Sequence, residues 1–204
     1  MDPLEIEVKF HLPDIPSIRN RILDLGATSR GRVFETNIVF DDAAGSLRRS
    51  HRLLRLRSDG ENRLTFKSPP PEPRKTDFKI RQETEVIVGD FTAMHRILTA
   101  LGYVRETVYE KWRETFELDG AHLCVDTLPF GSFLEIEADG ETIRDLAGRL
   151  GFDWKKRILL NYHALFELVK ELENLAFSDI TFDHFKGLSV DFTACLARAE
   201  AETD

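Results

Sequence analysis

Apolar and polar residues alternate with period two in eight stretches of the chain. They are roughly Leu4–Leu12, Arg32–Phe40, Arg52–Ser58, Arg63–Lys67, Lys79–Val88, Thr107–Leu118, His122–Thr127 and Ser132–Ala138. A period of two sends successive side chains to opposite faces, so each stretch predicts a β-strand. Helical spacing appears between them. Ile15, Ile18, Ile22 and Leu25 form an apolar stripe closed by Gly26. Phe91, Met94, Ile97, Leu98 and Leu101 form a second, with Asp90 as N-cap and Gly102 beyond its end. Thr142 is the expected cap of a third helix carrying Ile143, Leu146 and Leu150. Leu160 to about Leu175 reads as a longer amphipathic helix. The run Pro69-Pro70-Pro71-Glu72-Pro73 breaks any regular element and predicts a mobile surface loop between two strands. The pattern divides the chain into a main domain, residues 1–175, and an accessory tail, 176–204, with one further helix over Asp191–Ala201.

The pattern also recurs. Glu5-Ile6-Glu7 returns as Glu83-Thr84-Glu85, 78 positions on, and Leu25-Gly26 returns as Leu101-Gly102, 76 on. Val33-Phe34-Glu35 returns as Val108-Tyr109-Glu110, 75 on, and Arg55-Leu56-Arg57 as Glu135-Ile136-Glu137, 80 on, with the charges reversed. These landmarks predict two similar β-α-β-β-β halves.

The polar faces of the strands are unusually uniform. Glu5, Glu7 and Lys9 share one face; Arg55 and Arg57 another; Arg63, Thr65 and Lys67 a third. Arg81, Glu83 and Glu85 follow, then Lys111 and Arg113, then Asp126 with His122 and Cys124, then Glu135 and Glu137. One such strand is an ordinary solvated edge. A whole series, with few Ser, Thr, Gln or Asn among them, predicts a closed antiparallel barrel with charges inside and apolar residues outside under the helices. Enclosing so many charges is prohibitive unless they are paired, hydrated or bound to ions. A hydrated lumen that takes a polyanion and a hard cation uses both signs: Arg and Lys neutralise phosphate oxygens, and clustered carboxylates hold Mg²⁺ or Mn²⁺.

Composition narrows the partners. The 204 residues carry a net charge of −8, with 31% charged and 42% hydrophobic residues. That balance argues against nucleic acid held by a general phosphate-attracting field, though not against a local basic cluster. No apolar run is long enough to span a membrane, and the N-terminus has no secretory pattern, so a soluble cytoplasmic protein is expected. The two cysteines, Cys124 and Cys195, form no metal or redox spacing, and the six histidines no zinc-ligand spacing. Neither a nucleophile elbow nor a Gly-rich phosphate loop is present.

The motif set Glu5-x-Glu7-x-Lys9, Leu54-Arg55-Leu56-Arg57, Leu64-Thr65-Phe66-Lys67, Arg81-x-Glu83-x-Glu85, Lys111-x-Arg113, Asp126 and Gly131-x-Phe133-x-Glu135-Ile136-Glu137 resembles the CYTH superfamily, the triphosphate tunnel metalloenzymes. Asn161-Tyr162 resembles that family's Ser-Tyr, and the likeness covers about residues 2–170. It implies an eight-stranded antiparallel tunnel with helices outside, of the α+β class. It implies metal ligation by Glu5, Glu7, Glu135 and Glu137, assisted by Asp126 and Glu85. Lys9, Arg55, Arg57, Arg63, Lys67, Arg81, Lys111 and Arg113 are the expected triphosphate-binding residues, with Lys9 or Lys111 as proton acceptor. The expected ligands are ATP, thiamine triphosphate or inorganic triphosphate with Mg²⁺ or Mn²⁺, and a homodimer is possible by the same resemblance. One departure stands out. Many members carry a tyrosine just before an acidic residue on the strand after the first helix, where this chain reads Asn37-Ile38-Val39-Phe40-Asp41. The leading expectation is a class IV adenylyl cyclase-like enzyme. A triphosphatase is the alternative, and a non-catalytic triphosphate binder a third reading.

Overall fold

Each alternating stretch becomes a strand in the computed structural model, which describes residues 4–72 and 76–201. The strands are β1 (Leu4–His11), β2 (Thr28–Asp42), β3 (Leu53–Ser58), β4 (Asn62–Ser68), β5 (Lys79–Ile87), β6 (Tyr103–Leu118), β7 (Ala121–Leu128) and β8 (Gly131–Glu137). They close into an antiparallel barrel in the order β1-β5-β4-β3-β2-β6-β7-β8. The helices are α1 (Ile15–Asp24), α2 (Ser46–Arg49), α3 (Phe91–Ala100), α4 (Gly140–Arg149), α5 (Tyr162–Glu173) and α6 (Thr193–Ala201). Between β4 and β5, residues 69–72 form no regular element, and Pro73 lies outside the described residues.

The helices cover the outer face. Val8, Phe10, Leu123, Val125, Leu134 and Ile136 pack beneath Ile18 and Ile22 of α1 and Ile143, Leu146 and Leu150 of α4. Leu98 of α3 packs on Phe40, Leu54 and Leu56. One cap differs from expectation: α4 is capped by Asp139, whose Oδ1 accepts from the backbone N–H groups of Glu141 and Thr142 at 3.0 Å each. Thr142 lies inside the helix, its hydroxyl donating to Asp139 Oδ2 at 2.6 Å. A carboxylate placed at the turn accepts two orphan N–H groups at once, which leaves no capping role for the later hydroxyl.

The internal duplication holds, at a spacing of 76 through the first strand, helix and second strand of each half. Asp14 and Asp90 are both N-caps in extended backbone, accepting from Ser17 and Ala93. Leu25 and Leu101 both close their helices, followed by Gly26 at φ 91° and Gly102 at φ 93°. β2 takes up an extra residue at Arg30–Gly31 and β6 one at Glu106, again 76 apart. Two landmarks shift accordingly. The spacing of 75 is overturned because an odd offset exchanges the faces of a strand: Glu35 points into the lumen, whereas Glu110 points out and accepts from the Phe182 backbone. The repeat partner of β3 is β7, not β8, because each half contributes one three-strand meander, β2-β3-β4 and β6-β7-β8. By register Lys67 of β4 corresponds to Glu137 of β8 and Arg57 of β3 to Asp126 of β7, so the charge reversal falls at those two places. Two cross-strand pairs, Glu5 with Arg81 and Glu35 with Lys111, join residues 76 apart. The pseudo-twofold axis passes through both.

Beyond α5 the chain packs back on the barrel. β7 ends opposite the middle of β6, leaving the first part of β6 with a free edge. Ile180 docks there, its N–H donating to the Val108 carbonyl at 2.8 Å and its carbonyl accepting from Glu110 at 2.9 Å. Ile180, Phe185, Phe192 and Cys195 are buried with Phe130, Phe133 and α5.

Candidate active site in the barrel lumen

All the candidate residues except Asp126 line one cavity of about 1660 Å³ running along the barrel lumen. The β-strand period puts them there, since alternate residues must face inward. Asp126 is fully buried behind the cavity wall. Its carboxylate accepts from Arg113 Nε at 2.7 Å, Lys111 Nζ at 3.0 Å and the Tyr162 hydroxyl at 2.7 Å.

Three carboxylates converge on one side of the lumen. Glu5, Glu7 and Glu137 bring carboxylate oxygens within 4.8 Å of one another, on the adjacent strands β1 and β8. Lys67 reaches Glu5 at 2.6 Å, and Lys79 and Lys9 reach Glu7 at 2.5 Å each. Across the lumen, β3 and β4 present Arg55, Arg57 and Arg63. Glu85 belongs to that wall, accepting from Thr65 Oγ1 at 2.7 Å and lying 3.3 Å from Arg57. Arg63 is tied by Asp59 at 2.7 Å and Glu61 at 2.6 Å. Arg81 donates to the His51 carbonyl at 3.1 Å. Glu135 is shared between Lys9, at 2.9 Å, and Arg113.

The ionisation states follow from burial and neighbours. Burial, with Glu135 and Glu7 beside it, pushes Glu137 up to about 7, against the pull of Arg113. Burial and the charge of Glu7 likewise raise Glu5. Burial opposes ionisation of Glu7 too, but Lys79 and Lys9 hold it far below the usual carboxylate range. Three carboxylates thus converge, two of them raised by burial and by one another, and a hard divalent cation fits that oxygen donor set. Burial works against the charge on Lys9 and Lys111, yet carboxylates hold both above the ordinary lysine value: Glu135 and Glu7 for Lys9, Asp126 and Glu35 for Lys111. Lys79 is lowered, by burial and by Lys9 and Lys67. Cys124 lines the cavity, but burial pushes its thiol to about 12, which leaves it without nucleophilic character. Arg55 Nε is buried without a hydrogen-bond partner, while Arg57 Nε lies 3.1 Å from Asp59 Oδ2.

Several inward residues escape a reading of the sequence. Glu35 is 1% exposed and lies among Lys111, Arg113 and Arg57 at 3.5–3.9 Å; it stands alone on a face that continues as Asn37 and Val39. Lys79 opens a strand whose face was read only from Arg81; the alternation itself points to it. Tyr109 donates nothing to its own strand pattern, yet its hydroxyl accepts from Arg55 at 3.1 Å. Tyr109 pairs across the strands with Asn37, so a tyrosine hydroxyl enters the lumen from β6 where β2 has none.

A family model described as CYTH domain matches residues 3–150. A Methanocaldococcus jannaschii protein named putative adenylate cyclase is 27% identical over 136 residues, 66% of this chain and 76% of that one. A solved structure from Pyrococcus horikoshii superposes with a TM-score of 0.65 at 26% identity, covering 78% of this chain and 96% of that one. A Hippeastrum protein, described under the name putative adenylyl cyclase as having a dominant triphosphatase activity, superposes with a TM-score of 0.58 at 19% identity, covering 80% and 95%. With the closed eight-stranded barrel and its charge-lined lumen, the match over most of the chain places this protein in the CYTH family.

Proposed function

We propose that the lumen binds a triphosphate together with Mg²⁺ or Mn²⁺ and cleaves it, with ATP conversion to cyclic AMP and pyrophosphate as the leading reaction. The observation that carries this reading is the acid trio Glu5, Glu7 and Glu137 facing, across one lumen, a wall that presents Arg55, Arg57 and Arg63. In this reading the trio holds the divalent ion, and Glu135, Glu85 and Asp126 position the cations that surround it. When bound, such an ion supplies positive charge to the phosphate oxygens. Arg55, Arg57, Lys67, Arg81 and Arg113 grip the triphosphate, with Arg63 at the rim. Lys9 and Lys111, held protonated by their carboxylates, serve as fixed positive charges for the oxygens where charge builds up. Cyclisation has the ribose 3′ hydroxyl attack the α-phosphorus with pyrophosphate leaving; hydrolysis, the second reading, has water attack the terminal phosphorus. The name of the Methanocaldococcus relative favours the first, and the activity described for the Hippeastrum protein, alike in fold, is the reason for keeping the second.

Phosphorus NMR of ATP, thiamine triphosphate and inorganic triphosphate, each with Mg²⁺ and with Mn²⁺, tests the reading. Cyclic AMP with pyrophosphate marks a cyclase and orthophosphate a hydrolase; no turnover of any of the three under either metal overturns it. Glu5→Gln and Glu7→Gln are expected to lower turnover about 100-fold while the triphosphate still binds. A non-catalytic binder has no metal-dependent turnover to lose.

A further inference from the structure

β6 carries one lumen side chain that the proposed reaction leaves idle. Tyr109 is 7% exposed and lines the cavity, and its hydroxyl accepts from Arg55 Nη1 at 3.1 Å. A phenol that accepts from a guanidinium still carries one hydrogen to donate. Among the described residues nothing takes that hydrogen, since Arg55 is the hydroxyl's only partner. Tyr162 differs here, because its hydrogen goes to Asp126 Oδ2 at 2.7 Å. On its other side Arg55 is held by Thr65 Oγ1, which accepts from Nη2 at 3.2 Å and donates to Glu85 at 2.7 Å. The guanidinium is thus braced between two hydroxyls, and only the phenol has a hydrogen left. Packing does not demand that hydroxyl: the counterpart of Tyr109 in the first half, 76 positions earlier, is Val33.

The place of the hydroxyl is set by chain beyond the family match, which ends at residue 150. β7 pairs with β6 only from Trp112 onward, so at Tyr109 one edge of β6 has no barrel neighbour. The segment after α5 takes that edge. Asp179 Oδ1 accepts from the Val108 N–H at 2.9 Å, and the Ile180 N–H and carbonyl bond to Val108 and Glu110 at 2.8 and 2.9 Å. Both backbone neighbours of Tyr109 are thereby fixed. Its ring meets His163 of α5 edge to face, with centroids 6.1 Å apart, and shares a buried cluster with Val39, Ile158 and Ile180. A tyrosine held at both ring and backbone has little side-chain freedom left to lose when its hydroxyl finds an acceptor.

Resting on the triphosphate reading above, we infer that Tyr109 is a further substrate-binding residue, its hydroxyl donating to a phosphate oxygen gripped by Arg55, and that the segment after α5 serves the site by positioning it. An O–H donated to a phosphate oxygen is one of the shorter and stronger hydrogen bonds, because the acceptor is charged. The strands supply the cations, and the chain beyond them fixes a neutral donor in their midst.

The chain has three tyrosines, so the full-length protein labelled with 3-fluorotyrosine gives three fluorine resonances, which Tyr103→Phe, Tyr109→Phe and Tyr162→Phe assign. Inorganic triphosphate is titrated in EDTA, where metal-dependent turnover is off, and then with Mg²⁺. Wherever calorimetry shows binding, the Tyr109 resonance is expected to shift. Tyr109→Phe, which keeps the ring, should weaken binding about tenfold. Asp179→Ala, which cuts a tie to Val108 outside the lumen, should weaken it by a smaller factor and cost nothing further in the Tyr109→Phe background. A Tyr109 resonance that stays put while triphosphate binds, or an unchanged affinity in Tyr109→Phe, overturns the inference and leaves the triphosphate reading intact. A further loss in the double variant overturns the tail's part in it. Failure of inorganic triphosphate to bind in EDTA and with Mg²⁺ alike overturns both.

Discussion

Among single residues, Glu35 and Glu137 are bound to their surroundings in opposite senses. Glu35 is buried, and its burial penalty is outweighed by Lys111, Arg113 and Arg57, which bring it down to about 2. Removing one partner from a buried charge network leaves the others uncompensated. Glu35→Ala is therefore expected to lower stability by about 3 kcal/mol, read from urea unfolding at neutral pH. Glu137 is raised from 4.5 to about 7, so its contribution to the metal-free protein is fully present below pH 4.5 and is lost as pH rises through 7. A cation bound to the trio requires the ionised form, so its stabilising effect runs the other way. The rise in melting temperature on adding Mn²⁺ should grow between pH 5 and pH 8. A pH-independent rise would remove Glu137 from the ion site.

At the scale of elements, the two halves make an internal control. Gly26 and Gly102 end equivalent helices at φ 91° and 93°, with open space where a Cβ would go. Any cost of Ala there is conformational, about 1 kcal/mol. Gly26→Ala and Gly102→Ala are expected to destabilise by the same amount in chemical denaturation; a large inequality would mean the helices are held differently. Strand positions and helix stripes were legible in the sequence because period and punctuation are local. The lumen was legible for the same reason, as a run of charged alternate positions. What escaped depended on register. Glu35 and Glu110 look alike in sequence, and only the pairing of β2 with β6 decides which enters the lumen. The contact of Tyr109 with His163 was hidden because α5 meets β6 only in the folded chain.

For the whole molecule, the segment after α5 shares one buried cluster with the barrel. Phe192 is 3% exposed and packs 5.0 Å from the Phe133 ring, on the strand that carries Glu135 and Glu137. Phe192→Ala should cost about 3 kcal/mol. Unfolding followed by tryptophan fluorescence and by circular dichroism should remain a single coincident transition, since one core joins both parts. Two separated transitions would make the tail an independent unit.

The axis through Glu5–Arg81 and Glu35–Lys111 carries a further consequence. In an assembly of two identical half-chains, any residue on the axis would face its own copy, glutamate against glutamate or lysine against lysine. Opposite charges at those two places are open only to halves joined in one polypeptide and free to differ. Fusion is thus what lets a twofold-symmetric barrel differ in charge from one side of its bore to the other.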